Sequence, residues 1–137
     1  MLSHATIKFS LKHPFDRSVQ LICASLRSHG MRVLGELDVS RRLEGSLGIV
    51  LQPCKLIFVL PDPAALSTEA IHPWAAVFLP LHIVITGTDC QAEIRIPNIV
   101  QEGRPSVVGP PYGPVVEAQK QLVDAIQAVA VRPSILA

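Results

Sequence analysis

Cysteine, histidine and carboxylate side chains are the groups of this sequence able to carry nucleophilic, metal or proton-transfer chemistry, and their spacing restricts which of these is open. The three cysteines, Cys23, Cys54 and Cys90, stand too far apart for a CxxC metal or redox motif, and an odd number does not close into a disulfide framework. A nucleophilic thiol needs a neighbouring base and access to its substrate. Cys23 lies at helical spacing among apolar residues, so burial as a small hydrophobe is expected for it. Cys54 follows Pro53 at the entrance to a strand and Cys90 sits at a hairpin turn, which leaves these two as the candidate reactive thiols. The five histidines, His4, His13, His29, His72 and His82, show no HxH or HxxxH spacing, and neither a metal nor a cofactor is expected. No GxSxG elbow and no GxxxxGK[ST] loop occurs, so no catalytic residue is assigned. Arg41 and Arg42 are the one adjacent basic pair; neighbours on a helix point about 100° apart, and both are expected to face water.

These groups must be held by elements that the hydropathy pattern marks out. Residues 5–12 alternate apolar and polar, placing Ile7, Phe9 and Leu11 on one face of a first strand. From Pro14 the period lengthens. Phe15, Val19, Ile22, Cys23 and Leu26 recur at helical spacing, with Pro14 suited to a first turn and Gly30 to a C-terminal cap. Residues 31–38 read as a second strand, after which Asp38 or Ser40 can cap a short helix running to Leu47. Residues 55–60 form an interior strand stopped by Pro61-Asp62-Pro63, and residues 64–71 a shorter helix. A loop begins at Pro73-Trp74; residues 81–86 and 91–96 then make a hairpin about the Gly87-Thr88-Asp89 turn. Residues 97–114 hold five prolines and three glycines and read as an ordered wrap or a loop. The closing helix spans residues 115–131, where Val115, Ala118, Leu122, Ala125, Ile126 and Val129 share a face and Pro133 stops it.

At 137 residues the chain has the size of one domain, expected to span residues 1–137. With 49% hydrophobic and 17% charged residues and a mean hydropathy of +0.40, it holds apolar material to spare, so part of its surface is expected to meet a protein partner. Apolar runs at residues 56–60 and 74–85 are cut by Pro61, Pro80 and His82 and fall short of the roughly 20 residues a spanning helix needs, so no membrane association is expected. The formal charge is +1, from 12 basic and 11 acidic residues spread without blocks, which argues against a nucleic-acid partner. The opening Met-Leu-Ser-His-Ala runs straight into the first strand without the apolar core and cleavage site of a signal peptide, and a cytoplasmic location is expected.

Four segments, taken in order, carry a family resemblance. They are Ser28-His29-Gly30-Met31-Arg32-Val33-Leu34, Glu36-Leu37-Asp38-Val39, Ile57-Phe58-Val59-Leu60-Pro61-Asp62-Pro63-Ala64 and Phe78-Leu79-Pro80-Leu81-His82-Ile83-Val84. Over about residues 18–98 the chain resembles the DUF302 family of unknown function. The resemblance implies an α/β (α+β) fold, a two-layer sandwich like that of the TATA-box-binding protein, with an antiparallel sheet and helices on one face. It also implies frequent assembly as a homodimer and, for some relatives, association with sulfur metabolism and redox complexes, but no established activity. Where the family often carries cysteine, this chain has Pro61-Asp62-Pro63 and Leu79-Pro80-Leu81.

The expected function is therefore that of a small binding or accessory protein without a catalytic site. The alternative is a sulfur-metabolism or redox auxiliary protein acting through Cys54 or Cys90. Candidate ligand-binding residues are Asp62, Trp74, His82 and Tyr112. Asp62 and His82 lie near strand ends that an antiparallel sheet can bring together, Trp74 offers a flat contact, and Tyr112 rides on the proline-rich loop as a lid. Structural uses compete with these roles, since Asp62 can cap the following helix and Trp74 can plug the end of the core. A homodimer is expected because a small, half-covered sheet must manage its edges and its open face.

Overall fold

A computed structural model describes residues 6–48, 52–61, 81–98 and 113–132. The period-two pattern near the start becomes β1 (Thr6–Leu11), with Ile7, Phe9 and Leu11 buried and Lys8 and Ser10 turned away. The change to helical period becomes α1 (Phe15–Ser28), which buries Phe15, Val19, Ile22, Cys23 and Leu26 as one stripe. Its C-terminus closes by two bonds: the Met31 N–H donates to Leu26 O at 2.9 Å and the Gly30 N–H to Arg27 O at 3.0 Å. This reversal puts Gly30 at φ 79°, a left-handed conformation that glycine adopts without a Cβ penalty.

The remaining elements are β2 (Arg32–Asp38), α2 (Val39–Leu47), β3 (Cys54–Leu60), β4 (Leu81–Gly87), β5 (Ala92–Pro97) and α3 (Gly113–Gln127). α2 starts where the sequence places a cap: Asp38 Oδ1 accepts from the Arg41 N–H at 2.9 Å and from Ser40 Oγ at 2.8 Å. The five strands form one sheet in the order β1-β5-β4-β3-β2, and each neighbouring pair is antiparallel. β3 is an interior strand, as read from its composition.

Alternation sorts the strand residues onto two faces. Phe9, Ile57, Val59, Ile83, Ile85 and Ile94 are fully buried on one face, against Ile22 and Leu26 of α1 and Ala125 and Ile126 of α3. Ser25 Oγ donates to Ala125 O at 2.6 Å and ties the two helices together. The fold is thus the expected α+β arrangement of an antiparallel sheet with helices packed on one side.

Two edges are handled differently. On β2 the pairing with β3 shifts register between Val33 and Gly35, a bulge that leaves Leu34 52% exposed and disturbs an otherwise regular edge. On β1 the chain end takes part: Ser10 and Val131 exchange two backbone bonds, of 2.7 and 2.9 Å. The closing helix accordingly stops at Gln127, earlier than the residue 131 expected from its apolar spacing. Val129 and Ala130 still pack on the core, but through a turn, which explains why periodicity overran the helix. The expected helix at residues 64–71, the loop at Pro73-Trp74 and residues 99–112 of the proline-rich stretch lie outside the described residues.

Candidate functional site

The thiols occupy three different environments. Cys23 is buried where α1 covers β2; its Sγ donates to Glu36 Oε1 at 3.5 Å, and Glu36 Oε2 meets Lys55 Nζ at 3.4 Å. Burial, and then the Glu36 carboxylate, push its pKa up to about 11, so it is held as a neutral thiol. Cys54 is half-buried at the start of β3, its N–H donating to Ser40 Oγ at 3.3 Å. Burial raises its pKa too, and the nearby charge of Asp38 adds to the effect. Cys90 is exposed at the β4–β5 turn, where its N–H donates to Thr88 Oγ1 at 3.3 Å and its Sγ lies 3.5 Å from the same oxygen. Of the two candidate thiols, that of Cys90 lies beside a hydroxyl, while at Cys54 the hydroxyl accepts from the backbone N–H; neither contact supplies a base.

The turn that carries Cys90 divides two shallow clefts. One, of about 360 Å³, is walled by the start of α1 and by α2, and includes Asp16, Asp38, Ser40, Arg41, Glu44 and Asp89. Four carboxylates face one guanidinium there, so its field favours cations. Arg41 and Arg42 are exposed, as expected of a solvated pair, although Arg41 also contributes to this wall. The other cleft, of about 390 Å³, includes Lys8, Ser10, Thr86, Gln91 and Glu93, and Thr88 borders both. Among the described residues no group of three His, Cys, Asp or Glu side chains could hold a metal ion. Spacing along the chain gave no sign of these clefts, because they assemble residues from β1, α1, α2 and the hairpin.

The face of the sheet turned away from α1 and α3 is the larger feature. Cross-strand register aligns Lys8, Arg95, Val84, Leu56 and Leu37 in one row, and Ser10, Glu93, Thr86 and Cys54 in the next. His82 lies half-buried on this face, directly opposite Phe58, which in turn pairs with Gly35. The face is thus apolar over β2, β3 and β4 and charged over β5 and β1. On the charged side Glu93 accepts from Lys8 at 3.3 Å and from Arg95 at 2.8 Å. Those bonds hold the Glu93 carboxyl below its usual value against an opposing effect of burial, which is the largest single influence on it. Of the four residues expected to contact a ligand, His82 is placed here; Asp62, Trp74 and Tyr112 lie outside the described residues.

An antiparallel five-stranded sheet with helices on one side, polar clefts around one hairpin and a half-apolar second face defines a small α+β domain. Domain of unknown function DUF302 matches residues 7–129, and the chain belongs to that family. The crystal structure of an uncharacterized conserved DUF302 protein from Bacillus stearothermophilus is similar in fold, with a TM-score of 0.72 over 93% of this chain and 99% of that one, at 16% sequence identity. No curated protein matches the chain. Among the described residues no helix is long and apolar enough to cross a membrane.

Proposed function

We propose that the chain is a non-catalytic binding or accessory protein, a cytoplasmic homodimer that works through the second face of its sheet. The observation that carries this reading is the continuous apolar half of that face, where Leu37, Leu56 and Val84 lie side by side next to Phe58. A contiguous apolar patch rimmed by charge is the usual mark of a protein-binding surface. The even charge balance favours a protein over a nucleic acid as partner, and three free thiols suit a reducing compartment. In this reading residues 1–137 act as one domain, without a metal or cofactor, and a ligand site at the His82 end of the face draws on Asp62, Trp74 and Tyr112. Light scattering at micromolar concentration is expected to give twice the 14.8 kDa chain mass; particles of one chain only would count against it.

A second reading, an auxiliary of sulfur metabolism or redox chemistry, is favoured by the exposure of Cys90. Mild alkylation followed by mass spectrometry is expected to label Cys90 first, Cys54 slowly and Cys23 last, in the order of their exposure. Transfer of a persulfide from Cys54 or Cys90 to a small-molecule thiol would establish the second reading in place of the first.

A further inference from the structure

We infer that the cleft formed by β1, β5 and the β4–β5 turn binds a small, neutral, polyhydroxylated molecule, an open-chain polyol or a monosaccharide. The cleft measures about 390 Å³, within the range that holds small-molecule ligands, and opens at the hairpin end of the sheet, at the far end of β4 from His82. Cross-strand register sets Ser10, Glu93 and Thr86 side by side on three adjacent strands, about 4.8 Å apart, so that their side chains stand as a short ladder of hydrogen-bonding groups. Thr88 and Gln91 continue the ladder onto the turn. Among the described residues the side chains of Ser10, Thr86 and Gln91 bond to no other protein group, so their donors and acceptors are open to a ligand.

The ladder is held in place before any ligand arrives. Two backbone bonds to Val131 fix Ser10 on the edge of the sheet. Glu93 is clamped by two cations, and both bond the same oxygen: Lys8 Nζ lies 3.3 Å and Arg95 Nη2 2.8 Å from Oε1, which leaves Oε2 to accept from a ligand. The clamp also selects the ligand's charge. An anion would meet Oε2 while both cations are already spent on Oε1, and a cation would meet Lys8 and Arg95, so a neutral group is favoured over either. Hydroxyl groups suit this lining because each both donates and accepts: the hydrogen of one goes to Oε2, and its oxygen takes a hydrogen from Ser10, Thr86 or the Gln91 carboxamide. Among the described residues that line the cleft none is aromatic, so a flat base or aromatic ring has nothing to stack on.

Titration of the full chain with sorbitol and with glucose, followed amide by amide in proton–nitrogen correlation spectra, tests the site. Saturable shifts gathered on Ser10, Thr86, Thr88, Gln91 and Glu93 are expected with at least one of the two, and inorganic phosphate and spermidine at equal concentration are expected to move these amides less. Glu93→Gln removes the charged acceptor and is expected to weaken binding about ten-fold; Thr86→Val keeps the shape but loses the hydroxyl and is expected to weaken it about five-fold. No saturable shift with either probe, or undiminished binding by both variants, would overturn the site. A stronger response to phosphate or to spermidine would overturn the ligand class. Ser10→Ala replaces either variant if the dispersion of its spectrum shows that it does not fold. The readout is local to the cleft, so the outcome is independent of whether the chain is a dimer.

Discussion

At Gly87 the absence of a side chain decides whether the hairpin can close under α1. A Cβ there would lie 2.8 Å from Gln91 O and 3.2 Å from both Ala92 Cα and Phe15 Cβ, and two of those three atoms are backbone. Gly87→Ala is expected to cost about 1–3 kcal/mol, the range for overpacking a site that cannot relax. Gly35→Ala supplies the control, because a Cβ at that position meets nothing within 4 Å and should change stability by no more than about 0.5 kcal/mol. Urea denaturation of the two variants checks the contrast, and equal losses at both positions would refute it. At this scale the sequence was partly legible. The burial of Cys23 follows from its place in the α1 stripe, but its partner Glu36 does not, because that contact joins residues 13 apart through the path of β2. Glu36 sits among alternating residues that could have faced either side; the bulge at Leu34 decided which.

Among the elements, α2 is the one whose stability hangs on a single charged cap. The Arg41 N–H, and then the Ser40 hydroxyl, hold the Asp38 carboxyl below its usual pKa of 3.8. A carboxyl lowered in the folded state contributes stability above its usual value and loses it as pH falls through the lowered one. Asp38→Asn keeps an oxygen at the cap but cannot titrate. The unaltered protein should therefore lose melting temperature more steeply than Asp38→Asn as pH falls from about 5 to about 2. Thermal unfolding followed by circular dichroism across that range measures the difference; parallel curves would show that the cap charge is not felt. α2 was readable because a capping residue is a local signal, as was the Gly30 closure of α1. The overrun of α3 shows the limit of such signals: Val129 and Ala130 keep the apolar period, while the turn that ends the helix at Gln127 is fixed by Val131 pairing with Ser10.

For the whole molecule, the proposed homodimer would tie stability to concentration. Unfolding that releases two chains becomes harder as the protein is concentrated, so the melting temperature should rise steadily over a hundred-fold range of concentration. Scanning calorimetry at several concentrations measures this, and a constant melting temperature would contradict a dimer that unfolds as it dissociates. By itself the sequence determined the strands, α1, the hairpin and the family, and narrowed the cap of α2 to Asp38 or Ser40, because each is written in short-range period, capping and turn chemistry. The tertiary structure alone decided the order β1-β5-β4-β3-β2, the Ser10–Val131 bridge, the clefts on either side of Thr88 and the two rows of the second face. Strand pairing joins segments far apart in the chain, and which partner and register win depends on burying one face of every strand against α1 and α3 at once.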